Sequence, residues 1–330
     1  MTKGRIIGNN RPTKDFAVAE DESEKPHLLY YQMAGKKRRA HGSWYRGATT
    51  NYHPMRESLD EPGAVEKYVG HGWFPEKPFI TRDHYITAFG SCFAAEVTKF
   101  LLRKGYNVFG DDIGLNAHII RSGEGIVNSA ALRQQFDWAI GGHSPEESVW
   151  QNPDGTDAEM SPDIRETTRD IFRKTEVFIF TLGLSEVWYD KITGDVFWRA
   201  IPNQRFDPER HGFRVMGVEE NRRNLTNVYR TIREFRPDAE IIFTLSPVPL
   251  AATFRPVSCI TANSVSKASL RMAIDEVMRE FGEDPHLHYF PSYEIITAFL
   301  PDAMGVDLRH PRPEAVNFVM RTFKRNFLCG

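Results

Sequence analysis

The chain has 330 residues, enough for one large α/β domain or for a domain with a substantial extension. Its 41% hydrophobic and 26% charged residues are those of an ordinary globular protein, and 42 basic against 44 acidic side chains give a net charge of −2. That balance argues against a broad electrostatic surface for nucleic acid, so no nucleic-acid partner is expected.

Met1 to Asp15 has no apolar core of the kind a secretory signal needs, and no later run approaches the ~18 apolar residues of a membrane span. The reading is a cytoplasmic protein without a membrane span. Residues 1–80 lack sustained periodicity and hold an acidic run, Glu20-Asp21-Glu22, and a basic run, Lys36-Lys37-Arg38-Arg39. Four basic charges beside an acidic cluster read as a solvated face. Tyr30, Tyr31, Trp44, Tyr45, Trp73, Phe74 and Phe79 recur too often for a disordered tail. The expected organisation is an irregular extension over 1–80 packed on a catalytic domain over 81–330, with a partner-docking arm as the rival reading of the extension.

From Asp83 onward apolar strand candidates alternate with helical periodicity, the pattern of a mostly parallel sheet covered by helices on both faces. Strands are predicted at 84–89, 176–182, 239–245 and 286–290, with a weaker one at 105–109 and a small hairpin at 193–200. Helical stripes run through Val97, Phe100 and Leu101, through Leu225, Val228, Tyr229, Ile232 and Phe235, and through Leu270, Ala273, Ile274, Val277, Met278 and Phe281. A last helix starts after Pro311, with Val316, Val319, Met320 and Phe323 on its apolar side. The fold class is α/β, a three-layer α/β/α sandwich with a mostly parallel sheet. Ser91, Gly183 and Ser246 then each follow a strand at its carboxyl end, the edge that forms the ligand crevice in open α/β sheets.

Three of these features carry chemistry. Gly90-Ser91-Cys92-Phe93-Ala94 joins the first strand to an amphipathic helix, and such an elbow is where nucleophiles are often held. Downstream, Asp307-Leu308-Arg309-His310 supplies an acid and an imidazole, followed at once by Pro311. A serine hydroxyl is a weak nucleophile at neutral pH and needs a base and a group that orients the base. Ser91, His310 and Asp307 fill those roles in the order Ser, Asp, His. Ser91 alone would serve equally as a helix N-cap, and Asp307 as a turn cap. Cys92 is a rival nucleophile, but one position past Ser91 its side chain is expected to turn away from the crevice into a small apolar role. The three cysteines, Cys92, Cys259 and Cys329, are odd in number and show no metal-ligand spacing, so neither a disulfide framework nor a zinc site is expected.

The elbow, with Thr181-Leu182-Gly183-Leu184-Ser185-Glu186-Val187-Trp188, Leu245-Ser246-Pro247-Val248-Pro249-Leu250, Asn263-Ser264-Val265-Ser266-Lys267-Ala268, Tyr289-Phe290-Pro291-Ser292-Tyr293-Glu294 and His310-Pro311, resembles the GSCFA family, which is similar to the SGNH (GDSL-like) hydrolase and esterase group. The resemblance implies an SGNH hydrolase-like, flavodoxin-like fold and a serine esterase or O-acyltransferase working through an acyl-enzyme. It implies no metal or organic cofactor, and a small-molecule or glycan ester, in a polysaccharide or cell-envelope setting, as substrate. A non-catalytic glycan- or peptide-binding protein on the same fold is the alternative. SGNH enzymes add a glycine and an asparagine as oxyanion donors. Here Gly110 or Asn116 could supply the second block. The third block reads Gly183-Leu184-Ser185 where the group has Gly-x-Asn, so Ser185, Asn116 or Asn263 takes the asparagine's place.

Overall fold

The computed structural model describes residues 28–33, 35–41, 51–90, 92–109, 127–145, 149–150, 156–198 and 201–330. They fall into two compact units. In the smaller, which ends at Trp73, strands β1 (Leu28–Met33) and β2 (Lys36–His41) pair antiparallel, and α1 covers Ala64–Tyr68.

The larger unit begins at Phe74 and runs to Gly330. Its first element is β3 (Tyr85–Gly90), followed by α2 (Cys92–Arg103), β4 (Asn107–Phe109), α3 (Ser129–Ala139), α4 (Pro162–Lys174) and β5 (Val177–Leu182). Strands β6 (Glu186–Asp190) and β7 (His211–Val215) precede α5 (Val218–Phe235), β8 (Glu240–Leu245) and α6 (Cys259–Glu280). The chain closes with β9 (Leu287–Tyr289), the short α7 (Ser292–Glu294) and α8 (Pro313–Phe327).

The central sheet is parallel, in the order β4-β3-β5-β8-β9. Counted along the chain this is 2-1-3-4-5, the doubly wound order, with the winding reversing between β3 and β5. Helices cover both faces, as the alternation of elements requires: α2 packs with α8, and α5 packs with α3 and α6. Strands buried on both sides lose the polar half of the usual alternation. Val177–Leu182 is accordingly buried at every position, and β8 at all but Glu240. Phe89, Phe136, Phe172, Phe178 and Phe180 fill the space between β3, β5, α3 and α4, with Phe89 and Phe180 ring centroids 4.9 Å apart and Phe136 and Phe172 4.7 Å apart. Among the described residues no helix is long and apolar enough to cross a membrane.

The strand pair lies earlier than the hairpin predicted at 193–200: residues 195–197 turn back on β6, with Asp190 N donating to Asp195 O at 2.9 Å and Phe197 N to Trp188 O at 3.0 Å, and β7 pairs with β6 as well. The reason is local. Asp190 Oδ1 accepts from the amides of Ile192 and Thr193 at 2.7 and 3.1 Å, and Gly194 sits at φ 80°. Thr193-Gly194 is therefore the turn itself, between β6 and the returning residues 195–197.

At the amino end of β8, Glu240 clamps the sheet edge. Its two carboxylate oxygens meet His286 Nδ1 at 2.9 Å and His288 Nε2 at 2.8 Å, and Phe79 stacks on His288 at 4.4 Å. Burial acts to raise the Glu240 carboxyl, but hydrogen bonds from His288 and His286 outweigh it and hold the group below the usual range. A depressed carboxyl contributes stability that is present above the unfolded group's range and lost as pH falls through the folded value. Glu240→Gln should cost about 1–3 kcal/mol near neutral pH and should flatten the loss of stability on acidification. Denaturant melts of both proteins near neutrality and at about pH 4 check this; equal acid sensitivity in the two would count against the clamp.

Candidate active site

The first wall of the site is the β3–α2 elbow. Gly90, the last residue of β3, takes φ 140° and lies so close to β5 that a Cβ would stand 2.5 Å from Thr181 O and 2.8 Å from Thr181 Cβ. Glycine alone meets both demands, the backbone angle and the contact. Ser91 lies outside the described residues, as do Gly110 and Asn116. α2 then begins at Cys92 and buries Phe93, Ala94, Ala95, Val97, Phe100 and Leu101.

Cys92 corrects the sequence reading: it is exposed and lines a cleft, where a small buried role was expected. The helical period explains the difference. Residues 93, 94, 97 and 101 set the buried face, which leaves 92, 96 and 103 on the other side, and Cys92, Glu96 and Arg103 all border the cleft.

The cleft has a volume of about 410 Å3 and runs between α2 and α8. Phe93, Val248, Pro311, Val316 and Met320 give it an apolar lining, and His310 and Asn317 stand beside them.

His310 reaches the cleft from a tight loop. Gly305 N donates to His310 O at 2.8 Å, Arg312 N donates to Ala303 O at 2.8 Å, and Met304 bridges Pro311. Inside that loop Asp307 Oδ1 accepts from the amides of Arg309 and His310, each at 3.0 Å, while Oδ2 meets His310 Nδ1 at 2.6 Å. The Asp307 carboxyl is held well below the usual carboxylate range by the hydrogen bond to the His310 ring and by the His310 and Arg309 amides. Both side chains are about half exposed, 49% each. With Nδ1 donating to the aspartate, Nε2 is the nitrogen left to take a proton. Leu308, between the pair, adopts φ 55°, a left-handed conformation that costs about 1–2 kcal/mol for a residue with a Cβ.

The structure does not bring Gly183 and Ser185 to the cleft lining. Gly183 N donates to Val127 O at 2.8 Å, so that amide is already used. Ser185 is fully buried: its hydroxyl donates to Ser266 O at 3.1 Å and its amide to Ser266 Oγ at 2.7 Å. Both residues predicted from the third block are thus hydrogen-bonded within the fold. Asn263 Oδ1 accepts from Leu250 N at 3.1 Å, and Ser246 Oγ accepts from Val248 N at 3.2 Å. Among the described residues no group of three or more His, Cys, Asp or Glu could hold a metal ion.

A doubly wound parallel sheet with a histidine and aspartate loop beyond its carboxyl edge is the class that these features define. The chain belongs to the GSCFA family, whose model matches residues 85–323. No curated protein sequence matches it. Among solved structures it is similar to a carbohydrate esterase family 3 protein from Talaromyces cellulolyticus, with 12% identity, 73% of this chain and 94% of that chain covered, and a TM-score of 0.36. A putative GDSL-like lipase from Parabacteroides merdae gives 10%, 75%, 97% and 0.39 for the same quantities. An acetyl xylan esterase from Butyrivibrio proteoclasticus gives 11%, 74%, 65% and 0.37.

The elbow generates a test. Gly90→Ala should destabilise the protein by about 3 kcal/mol or more, since it combines an unfavourable φ with a backbone clash. Gly217→Ala, where a Cβ meets open space, should stay within about 1 kcal/mol. Urea melts of the two variants beside the parent decide it, and similar midpoints would show that β3 can move away from β5.

Proposed function

We propose that the protein is a serine-dependent esterase in which Ser91 attacks the ester, His310 acts as base and then as acid, and Asp307 orients the imidazole. The observation that carries the reading is the 2.6 Å His310–Asp307 pair beside a cleft that also takes in Cys92, the residue after Ser91 in the chain. In the first half-reaction His310 Nε2 takes the Ser91 hydroxyl proton as Oγ bonds to the ester carbonyl carbon. The tetrahedral intermediate then expels the alkoxide, which leaves as the alcohol with that proton, and the acyl group stays on Ser91. Water or an acceptor hydroxyl repeats the sequence to free the enzyme, giving hydrolysis or O-acyl transfer from the same intermediate.

The oxyanion is assigned to the Ser91 amide and the first amides of α2, whose helix terminus leaves N–H groups without intrahelical partners and favours negative charge. Gly110 or Asn116 is assigned the remaining donor role, since Gly183 and Ser185 are committed elsewhere. The mechanism calls for no metal or organic cofactor. Esters of carbohydrates, including cell-envelope polymers, are the substrate class we assign, following the resemblance to the SGNH group. A binding protein that holds a glycan without cleaving it is the second reading, favoured by the engagement of the Gly183 amide and the Ser185 hydroxyl within the fold.

Intact-protein mass spectrometry after exposure to a fluorophosphonate probe tests the assignment. One adduct is expected on the parent and on Cys92→Ala, and none on Ser91→Ala or His310→Ala. No adduct on the parent supports the binding reading, and an adduct lost in Cys92→Ala moves the nucleophile to the thiol. Asp307→Asn should fold and should lower the labelling rate by a factor of about 10²–10⁴, because the imidazole loses the acceptor that fixes its tautomer. A rate within a factor of about three of the parent would remove Asp307 from the mechanism.

A further inference from the structure

One face of α6 presents Cys259, Asn263, Ser266 and Lys267, at i, i+4, i+7 and i+8, and all four bond the segments that leave β5 and β8. Cys259 Sγ reaches Leu250 O at 3.7 Å, while Asn263 and Ser266 make the bonds to Leu250 and Ser185 already described. Lys267 goes deepest. Its side chain is 2% exposed, and Nζ donates to Gly183 O, Ser246 O and Val248 O, each at 2.7 Å.

An ammonium has three N–H bonds and no lone pair, so three carbonyl oxygens use it completely. A neutral amine would turn a lone pair toward one of them. Burial pushes Lys267 down to about 7, and the three carbonyls act against that displacement because only the protonated amine can satisfy all of them. Two of the acceptors, Ser246 and Val248, each precede a proline, Pro247 and Pro249. A proline contributes no N–H and holds the residue before it in extended backbone, so the segment cannot close a helical turn or a strand ladder on itself. At the carbonyls of Ser246 and Val248 the segment is held by the ammonium, and its amides are held by Ser246 N donating to Leu182 O at 2.8 Å, Val248 N to Ser246 Oγ and Leu250 N to Asn263 Oδ1. Val248, held in this way, is a wall of the cleft.

We infer that Lys267 is a positioning residue: by binding Gly183, Ser246 and Val248 it fixes the Val248 wall against which the ester is held. The activity arm of its test rests on the esterase reading, and the structural arm does not. Lys267→Met keeps the length and apolar stem and removes the donors. In the folded variant the amides of Ser246, Val248 and Leu250 are expected to exchange hydrogen about tenfold faster, with the rest of the sheet unchanged. The concentration of fluorophosphonate giving half-maximal labelling rate should rise about tenfold, while the maximal rate and the final labelled fraction stay at parental values. A general loss of folding would instead lower the labelled fraction.

An unchanged half-maximal concentration in folded Lys267→Met overturns the inference. If the parent takes no label at Ser91, the esterase reading fails, and hydrogen exchange alone decides on Lys267: parental protection at those three amides overturns it. If Lys267→Met does not fold, nitrogen-15-labelled parent protein decides. A lysine ammonium resonance protected from exchange at about pH 6, below the value of about 7 for Lys267, is expected, and its absence overturns the inference.

Discussion

All strands of a parallel sheet that follow one another through helical crossovers end at the same edge, and the last carbonyl oxygens of each are left without ladder partners. Buried carbonyls must find donors elsewhere. In this protein the requirement falls on the exits of β5 and β8, and α6 meets it with polar residues in its amino-terminal half, on a buried stripe that is apolar from Leu270 onward. Ser266 and Lys267 are among the most buried polar residues of the molecule. The course of the Ser246–Pro249 segment, the engagement of Gly183 and Ser185, and the Val248 wall of the cleft all follow from that satisfaction of backbone groups. The elbow obeys a related constraint. β3 and β5 are in contact up to the Gly90–Thr181 pair, and only a residue without a Cβ lets the chain turn into α2 at that separation.

The sheet was legible in the sequence because strands buried on both faces are written as unbroken apolar runs. Predicted and observed ends of β3, β5 and β8 differ by a residue at most. α3 and α4 were not found, for a physical reason. Gln134 and Gln135 lie on the buried face of α3, where Gln134 bonds both the N–H and the C=O of Val196, so a core position is occupied by an amide. In α4 the buried stripe is interrupted by Thr168, whose hydroxyl donates to Ile164 O. Apolar periodicity misses helices whose core face pairs with backbone. The capping signals were nevertheless present: Asn128 before α3, and Ser161-Pro162-Asp163 at the start of α4.

The site divides along the same line between local and distant. Asp307 and His310 could be paired from the sequence because three positions and a turn bring them together with no help from the rest of the chain. The fate of Gly183 and Ser185 could not, since their partners, Val127 and Ser266, come from remote segments. Lys267 had left a trace. Counting back from Leu270 along the stripe of α6 arrives at 267, 266 and 263, where an apolar helix should continue and instead Lys, Ser and Asn stand. Polar residues on a buried stripe mark a backbone to be satisfied or a ligand to be met.

The Asp307–His310 pair is about half open to solvent, and an ion pair in that setting has little attraction of its own. Its short contact must therefore be held by the loop. One carboxylate oxygen is fixed by two backbone amides, the loop is closed by Gly305 with His310 and by Ala303 with Arg312, and Leu308 is kept in a left-handed conformation that a free chain would avoid. The backbone thus carries the ordering in the free protein. A ligand that fills the cleft removes water from the imidazole side of the pair, and the same 2.6 Å contact then acts in a medium of lower dielectric, where it strengthens. The orientation of the pair is thus built into the loop of the free protein.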